Sequence, residues 1–262
     1  MQFSFCAQTD PGQARENNED SVEFDASAQL AVLADGMGGY NAGEIASGMA
    51  TAFIRTELSS WLQAAGEQAT LLDLRRALTI CVDNANRAVF NSASFNHHFA
   101  GMGTTLVVTL FREDLLLVGH IGDSRCYRLR AGELTQLTRD HSLLQEQIDA
   151  GLLTPAQAAL SPHRNLVTRA LGVEPAAVLE VRDYSVAPGD VYLLCSDGLS
   201  DMLDDAAIAK ILHNQQPLTN LADELVRAAN EQGGRDNISV VLVQAQSGGD
   251  RRGFISRLLG KP

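Results

Sequence analysis

Apolar positions along this 262-residue chain follow two periods that alternate from one end to the other. Runs at 3–9, 21–24 and 30–35 predict strands, as do 104–111, 114–121, 125–129 and 134–137, the last two joined through the Ala131-Gly132 turn. Two more apolar runs, 191–195 and 238–244, extend the strand set. Helical spacing fills the intervals. Asn41 and Glu44 stand at capping-box separation and open a helix with Ile45, Met49 and Phe53 as its apolar stripe. A second helix, at about 71–92, puts Leu74, Leu78, Cys81, Val82, Ala85 and Val89 on one face, and two others cover about 205–213 and 221–231. Strands in runs and helices in pairs predict an α+β layered domain.

Between 138 and 178 the period weakens. Residues 142–150 keep a helical pattern, Thr154-Pro155-Ala156-Gln157 has the chemistry of a short helix start, and Ser161-Pro162 ends it. With 45% hydrophobic residues the chain can bury a sizeable core as one domain, although two also fit its length. A formal charge of −12 leaves no basic footprint for nucleic acid. No apolar run approaches the ~20 residues of a membrane helix, and residues 1–10 lack the basic start and apolar core of a secretion signal. A cytoplasmic protein is therefore expected. Cys6, Cys81, Cys126 and Cys195 lie far apart in mostly apolar segments and are read as small buried hydrophobes in a reducing compartment.

Four acid-bearing motifs interrupt the apolar runs. They are Asp35-Gly36-Met37-Gly38-Gly39, Gly122-Asp123-Ser124-Arg125, Ser196-Asp197-Gly198 and Gly234-Arg235-Asp236-Asn237. Three stand where a predicted strand runs out, and the fourth opens the strand at 238. Carboxylates so placed can converge in space, and a cluster of acids without a nearby lysine is relieved by a hard divalent cation. No His-x-His or Cys-x-x-Cys appears, so Mn²⁺ or Mg²⁺ is preferred over a soft metal.

The same motifs carry a family resemblance. Thr9-Asp10-Pro11-Gly12-Gln13-Ala14-Arg15-Glu16-Asn17-Asn18-Glu19-Asp20-Ser21 precedes the first of them. Gly103-Thr104-Thr105, Arg164-Asn165 and Thr168-Arg169-Ala170-Leu171-Gly172 stand among the rest. In this order they resemble the metal-dependent type-2C Ser/Thr protein phosphatases in their compact bacterial form, over about residues 9–243. The resemblance implies a four-layer α-β-β-α sandwich, two antiparallel sheets flanked by helix pairs. Residues 1–246 would form the catalytic domain, with a flap at about 139–177 beside its groove. It further implies hydrolysis of phosphoserine and phosphothreonine in proteins by a hydroxide shared between two metal ions. Asp35 would bridge these ions and the Gly36 carbonyl would bind the second. Asp197 and Asp236 would complete the first ion's ligands, Glu19 and Asp20 would act chiefly through bound waters, and Asp123 would join Asp197 at a weaker third site.

Arg15 holds the family's phosphate-clamping position, where a planar guanidinium can pair two phosphate oxygens. Ser124 and Arg125 would buttress the site, Asn237 would orient Asp236, and Arg164 and His163 belong to the substrate side of the flap. The implied partners are phosphorylated proteins and a cognate Hanks-type Ser/Thr kinase, with the enzyme a monomer. Two departures stand out: Met37 where many eukaryotic members carry His, and Ser161 where bacterial relatives often have His. The general acid is therefore unassigned among His163, His141 and a metal-bound water. A catalytically silent regulatory domain and a phosphatase of small esters are the alternatives.

Other signals carry less. Cys81 and Arg87 match the Cys-x5-Arg spacing of cysteine phosphatases but fall inside a helix pattern. Gly36–Asn41 mimics a dinucleotide fingerprint yet lacks its third glycine, and no Gly-x-Ser-x-Gly elbow occurs. Ser247-Gly248-Gly249 has hinge composition, and 250–262 carries four basic residues against one acid with an apolar face at Phe254, Ile255, Leu258 and Leu259. That tail is either a dispensable end or a docking peptide.

Overall fold

The structure, a computed structural model, describes residues 1–39, 42–158, 161 and 166–247. Eleven strands among the described residues make two antiparallel sheets. The first sheet joins β1 (Gln2–Asp10), β11 (Ile238–Gln246), β10 (Val191–Cys195), β7 (Arg125–Arg130) and β8 (Glu133–Gln136), in that order. The second joins β2 (Asp20–Asp25), β3 (Leu30–Met37), β5 (Leu106–Arg112), β6 (Leu115–Ile121) and β9 (Glu180–Ser185). The short β4 (Gly103–Thr104) pairs with the far end of β3.

The sheets face each other across a core of alternate residues: Ala31, Leu33, Val107, Phe111 and Val118 from one, and Cys126, Tyr192, Leu194, Val241 and Val243 from the other. The opposite residues of the same strands serve the helices. Leu30, Val32, Leu106 and Val108 pack under α1 (Ala42–Ala65) and α2 (Leu71–Phe95). Leu193, Cys195, Val240 and Leu242 pack under α6 (Asp205–Leu212) and α7 (Leu218–Glu231). Three short α-helices are also present, α3 (Leu143–Asp149), α4 (Pro155–Ala158) and α5 (Asp197–Ser200). Period-two strands with both faces apolar require exactly this kind of double covering, and the expected α-β-β-α sandwich is the result.

Four differences from expectation are instructive. The buried stripe of α1 is Ala42, Ala46, Ala50, Ile54 and Leu58, one position away from Ile45, Met49 and Phe53, which are only partly buried. Small alanines let α1 lie close on the sheet, and the larger side chains flank the contact. Strand β9 was not anticipated, because Glu180, Arg182 and Asp183 give an edge strand too polar a pattern. Helix α7 begins at Leu218, three residues before the expected start. Strand β3 does not stop at Asp35 but continues to Met37 through its pairing with β4.

The cysteines are free, with Cys81, Cys126 and Cys195 buried and Cys6 half-buried. Cys81 lies within α2, and burial pushes its thiol up to about 12, so it is no nucleophile. Among the described residues, no helix is long and apolar enough to cross a membrane. Asn41 of the expected capping box and the 250–262 tail lie outside the described residues.

Candidate metal centre

At one end of the sandwich the two sheets each deliver carboxylates to the same place. Asp20 and Asp35 are direct cross-strand partners on β2 and β3. Asp123 follows β6, Asp197 opens α5 immediately after β10, and Asp236 precedes β11. Asp20 and Asp123 are buried, whereas Asp35, Asp197 and Asp236 keep partial exposure, so the cluster opens to solvent.

Hydrogen bonds from backbone and hydroxyl groups fix Asp35 and Asp20. Thr105 donates its amide to the Asp35 carbonyl (2.8 Å), and the Thr104 hydroxyl donates to the same oxygen (2.8 Å). The Asp35 amide donates to Thr105 Oγ1 at 3.0 Å, and that hydroxyl is 2.6 Å from Ser124 Oγ. The Gly103-Thr104-Thr105 motif thus holds Asp35 and ties it to the Asp123 turn. Ser196 Oγ donates to Asp20 Oδ2 at 2.8 Å while accepting from the Ser239 amide at 3.0 Å, which links the two sheets at the site.

Asn237 bonds both Asp236 and the loop before β2. Its backbone amide, not its side chain, donates to Asp236 Oδ1 (2.9 Å). The side chain instead accepts from the Glu19 amide (2.8 Å) and donates to the carbonyls of Pro11 and Asn17 (3.0 and 2.8 Å). One asparagine therefore pins the loop that carries Arg15, Glu19 and Asp20 against Asp236.

Gly36 has no left-handed φ, so a tight bend is not the reason for glycine here. A Cβ would stand 2.1 Å from the Gly43 carbonyl oxygen and 2.6 Å from that of Glu19. The requirement is room for α1 and the Glu19 loop to close on β3.

The electrostatics are those of an anion cluster. Burial, then repulsion from Asp20, Asp197, Asp123 and Asp236, pushes the Asp35 carboxyl well above the carboxylate range. Burial and the charges of Asp123, Asp201, Asp236 and Asp20 do the same to Asp197. Burial raises Asp20 to about 7 and, with Asp140, raises Asp123 to about 6; it also raises Glu19. Asp20 Oδ1 is buried and receives no hydrogen bond. A buried carboxylate oxygen without a donor, among acids that hold one another's protons on, fits a divalent cation coordinated by oxygen.

Cations of the protein itself are few at the site. Arg15 Nη2 reaches Asp236 Oδ2 at 2.7 Å from a half-exposed position. Arg125 is committed to Asp140 by contacts of 2.7–3.1 Å and to the Tyr127 hydroxyl at 2.9 Å, in keeping with a buttress. Asp201 was missed by sequence reasoning although it bears on both Asp123 and Asp197. Its signal was present: Asp201 follows Asp197 by four residues, one helical turn. His141 is buried with both ring nitrogens engaged inside the fold, which leaves it no open face toward substrate. His163 and Arg164 lie outside the described residues.

The chain is similar to known proteins over most of its length. The family model described as protein phosphatase 2C matches residues 12–243. The Ser/Thr protein phosphatase PstP of Mycobacterium tuberculosis is 41% identical over 239 residues, 91% of this chain but 44% of that protein, so the chain spans under half of that relative's length. Protein phosphatase PhpP of Streptococcus pneumoniae is 37% identical over 90% of this chain and 94% of its own length. Among solved structures, the catalytic domain of PstP in complex with two manganese ions superposes with a TM-score of 0.80 at 38% identity, covering 94% of this chain and 99% of that one.

Proposed function

This chain belongs to the protein phosphatase 2C family, and we propose that it hydrolyses phosphoserine and phosphothreonine in proteins with the help of Mn²⁺ or Mg²⁺. The observation that carries the reading is the convergence of five mutually repelling aspartates from both sheets, one with a buried oxygen lacking any donor. Two ions held there would lower the pKa of a shared water and shield the phosphoryl oxygens from it.

The protein's own groups have separable duties. Asp35, on β3, would hold both ions, and the Gly36 carbonyl would hold the second. Asp197 and Asp236 would hold one from the other sheet, with Glu19 and Asp20 behind them. Asp123, with Asp197 and Asp201 close by, would complete a third, weaker position. Arg15 stands at the mouth, and its fork is suited to two phosphoryl oxygens.

The ion pair between Arg15 and Asp236 sharpens the Arg15 assignment. The guanidinium lies 2.7 Å from Asp236 and, being a cation, is itself no metal ligand. Arg15→Ala is therefore expected to weaken phosphate binding or turnover while leaving Mn²⁺ affinity nearly unchanged, as titration calorimetry would read. A marked fall in Mn²⁺ affinity would reassign Arg15 to the metal site.

Residues 1–246 would form the catalytic domain, cytoplasmic and monomeric, with the excursion between β8 and β9 as the flap and the 250–262 tail as a docking element. Its partners would be phosphoproteins and the Hanks-type kinase whose action it reverses. The decisive assay follows phosphate release from a phosphothreonine peptide and from an aryl phosphate, with and without Mn²⁺. Mn²⁺-dependent release from the peptide is expected. A folded protein that released nothing at saturating Mn²⁺ would be the silent binding domain, and release from the aryl ester alone would favour a small-ester phosphatase.

A further inference from the structure

Outside the acid cluster, His120, His141 and Glu180 bring their ligand atoms within 4.8 Å of one another. This trio is spaced for a metal, but its hydrogen bonds argue otherwise. The Gly122 amide donates to His141 Nδ1 at 3.1 Å, so the neutral ring carries its proton on Nε2, which faces Glu180 Oε2 at 3.4 Å. His120 Nε2 lies 2.8 Å from the Arg139 carbonyl, which can only accept. The two rings are stacked at 4.6 Å with 16° between their planes. Near-parallel imidazoles cannot both aim in-plane lone pairs at one ion, and His141 has none to spare.

His141 is also bonded through its backbone on both sides. Its amide donates to the Gly122 carbonyl (2.9 Å), and its carbonyl accepts from the Thr168 amide (2.8 Å). Three residues on, the Leu171 and Thr104 amides exchange hydrogen bonds with each other's carbonyls (2.8 and 2.9 Å) beside Asp35. The buried Asn86 on α2 then accepts from the Gly172 amide (2.7 Å) and donates to the Glu174 carbonyl (3.0 Å). The segment 168–174 is thus stitched between His141 and Asn86, along the edge of the acid cluster.

We propose that His141 is a positioning residue: its unprotonated Nδ1 fixes the Gly122–Asp123 turn, and its carbonyl fixes the segment leading to Leu171, so that one buried side chain sets both against Asp35. Its consequence for catalysis rests on the phosphatase reading, but its structural part does not. Protonation would place a second donor opposite the Gly122 amide and open the turn. The groups facing the ring decide when that occurs: His120 from β6, Glu180 and its partner Arg182 from β9, and Arg169 at 3.5 Å from Nε2. Burial, then His120, holds His141 below the ordinary histidine range. The loss accordingly falls on the acid side, and the neutral clamp operates at neutral pH.

The test uses His141→Leu, which removes the acceptor, and His141→Asn, whose Oδ1 can occupy the place of Nδ1 and cannot be protonated. Amide exchange at Gly122 and Thr168 is read by NMR, and kcat and KM on an aryl phosphate are read across pH. In H141L the Gly122 amide should exchange at least about tenfold faster and kcat should fall about tenfold, with KM little changed, the scale of one lost buried hydrogen bond. H141N should restore both and lose the acid-side fall in Gly122 protection, relative to the intrinsic exchange rate, that is expected of the wild type. Unchanged Gly122 exchange in H141L, or the same acid-side fall in protection in H141N as in the wild type, would overturn the proposal. The exchange arm needs no catalysis, so an inactive wild type would defeat the phosphatase reading alone. If H141L does not fold, the pH comparison between H141N and the wild type decides.

Discussion

Asp35→Asn is expected to lower phosphate release by at least ~10²-fold, the scale of removing one electrostatic stabiliser from a preorganised site, and yet to raise the melting temperature of the metal-free protein. Both effects have one cause. Burial, then the charges of Asp20, Asp197, Asp123 and Asp236, pushes the proton affinity of Asp35 well above that of an exposed carboxylate. A carboxyl with a raised folded-state pKa contributes stability below its unfolded pKa and loses that contribution as pH rises through its folded value. For Asp20 that window runs from 3.8 to about 7. Metal-free wild type should therefore lose stability as pH rises from 5 to 8, and Mn²⁺ should restore more of it at the higher pH. In D35N the repulsion is reduced and the ligand charge is gone, so stability and activity move in opposite directions. Calorimetric melting with and without Mn²⁺, beside the phosphate assay, reads both. A D35N protein with near-normal turnover at saturating Mn²⁺ would remove the two-ion assignment.

Gly198→Ala should move the same two observables together. A Cβ at Gly198 would sit 2.0 Å from the Asn237 carbonyl oxygen and 2.8 Å from its carbon. Backbone lies on both sides of that clash, so no side-chain rotation relieves it. Helix α5 would be pushed off the start of β11, separating Asp197 from Asp236. The expected cost is about 3 kcal/mol for overpacking of this kind, or a melting temperature lower by roughly 6–10 °C for a chain of this size. Activity should fall on the order of 10²-fold, as it does when catalytic groups are displaced by about an ångström. Unlike D35N, this variant would carry the full set of carboxylates. Wild-type melting and turnover in G198A would show that the close approach of α5 and β11 is not what builds the site.

Much of this architecture is legible in the sequence because its strands bury both faces and its helices bury one. The face of α2 from Leu74 to Val89 is read correctly because large apolar residues recur at helical spacing with polar ones between them. The stripe on α1 is misread because its contact residues are alanines, whose small size is the point of the contact but gives little hydrophobic signal. Strand β9 escapes because an edge strand needs only one hydrogen-bonded neighbour and tolerates charge.

At the site, the acids announce themselves as motifs, and both sheets bring them together. What connects them does not. Ser196 is unremarkable in sequence, yet it bonds an aspartate 176 residues away. Asn237 is recognised, but its action on the loop at residues 11–19 depends on the pairing of β1 with β11, which spacing cannot show. His141 falls in a segment of weak period, and its pairing with Gly122 exists only after β6 and β7 are built.

The most direct test is a Mn²⁺ anomalous-difference map from crystals of this protein. The account predicts two peaks about 3.5–4 Å apart, both contacting the Asp35 carboxylate, with Asp197 and Asp236 on one and the Gly36 carbonyl on the other. Manganese bound elsewhere, at His120 and His141 for example, with nothing on Asp35, would contradict it.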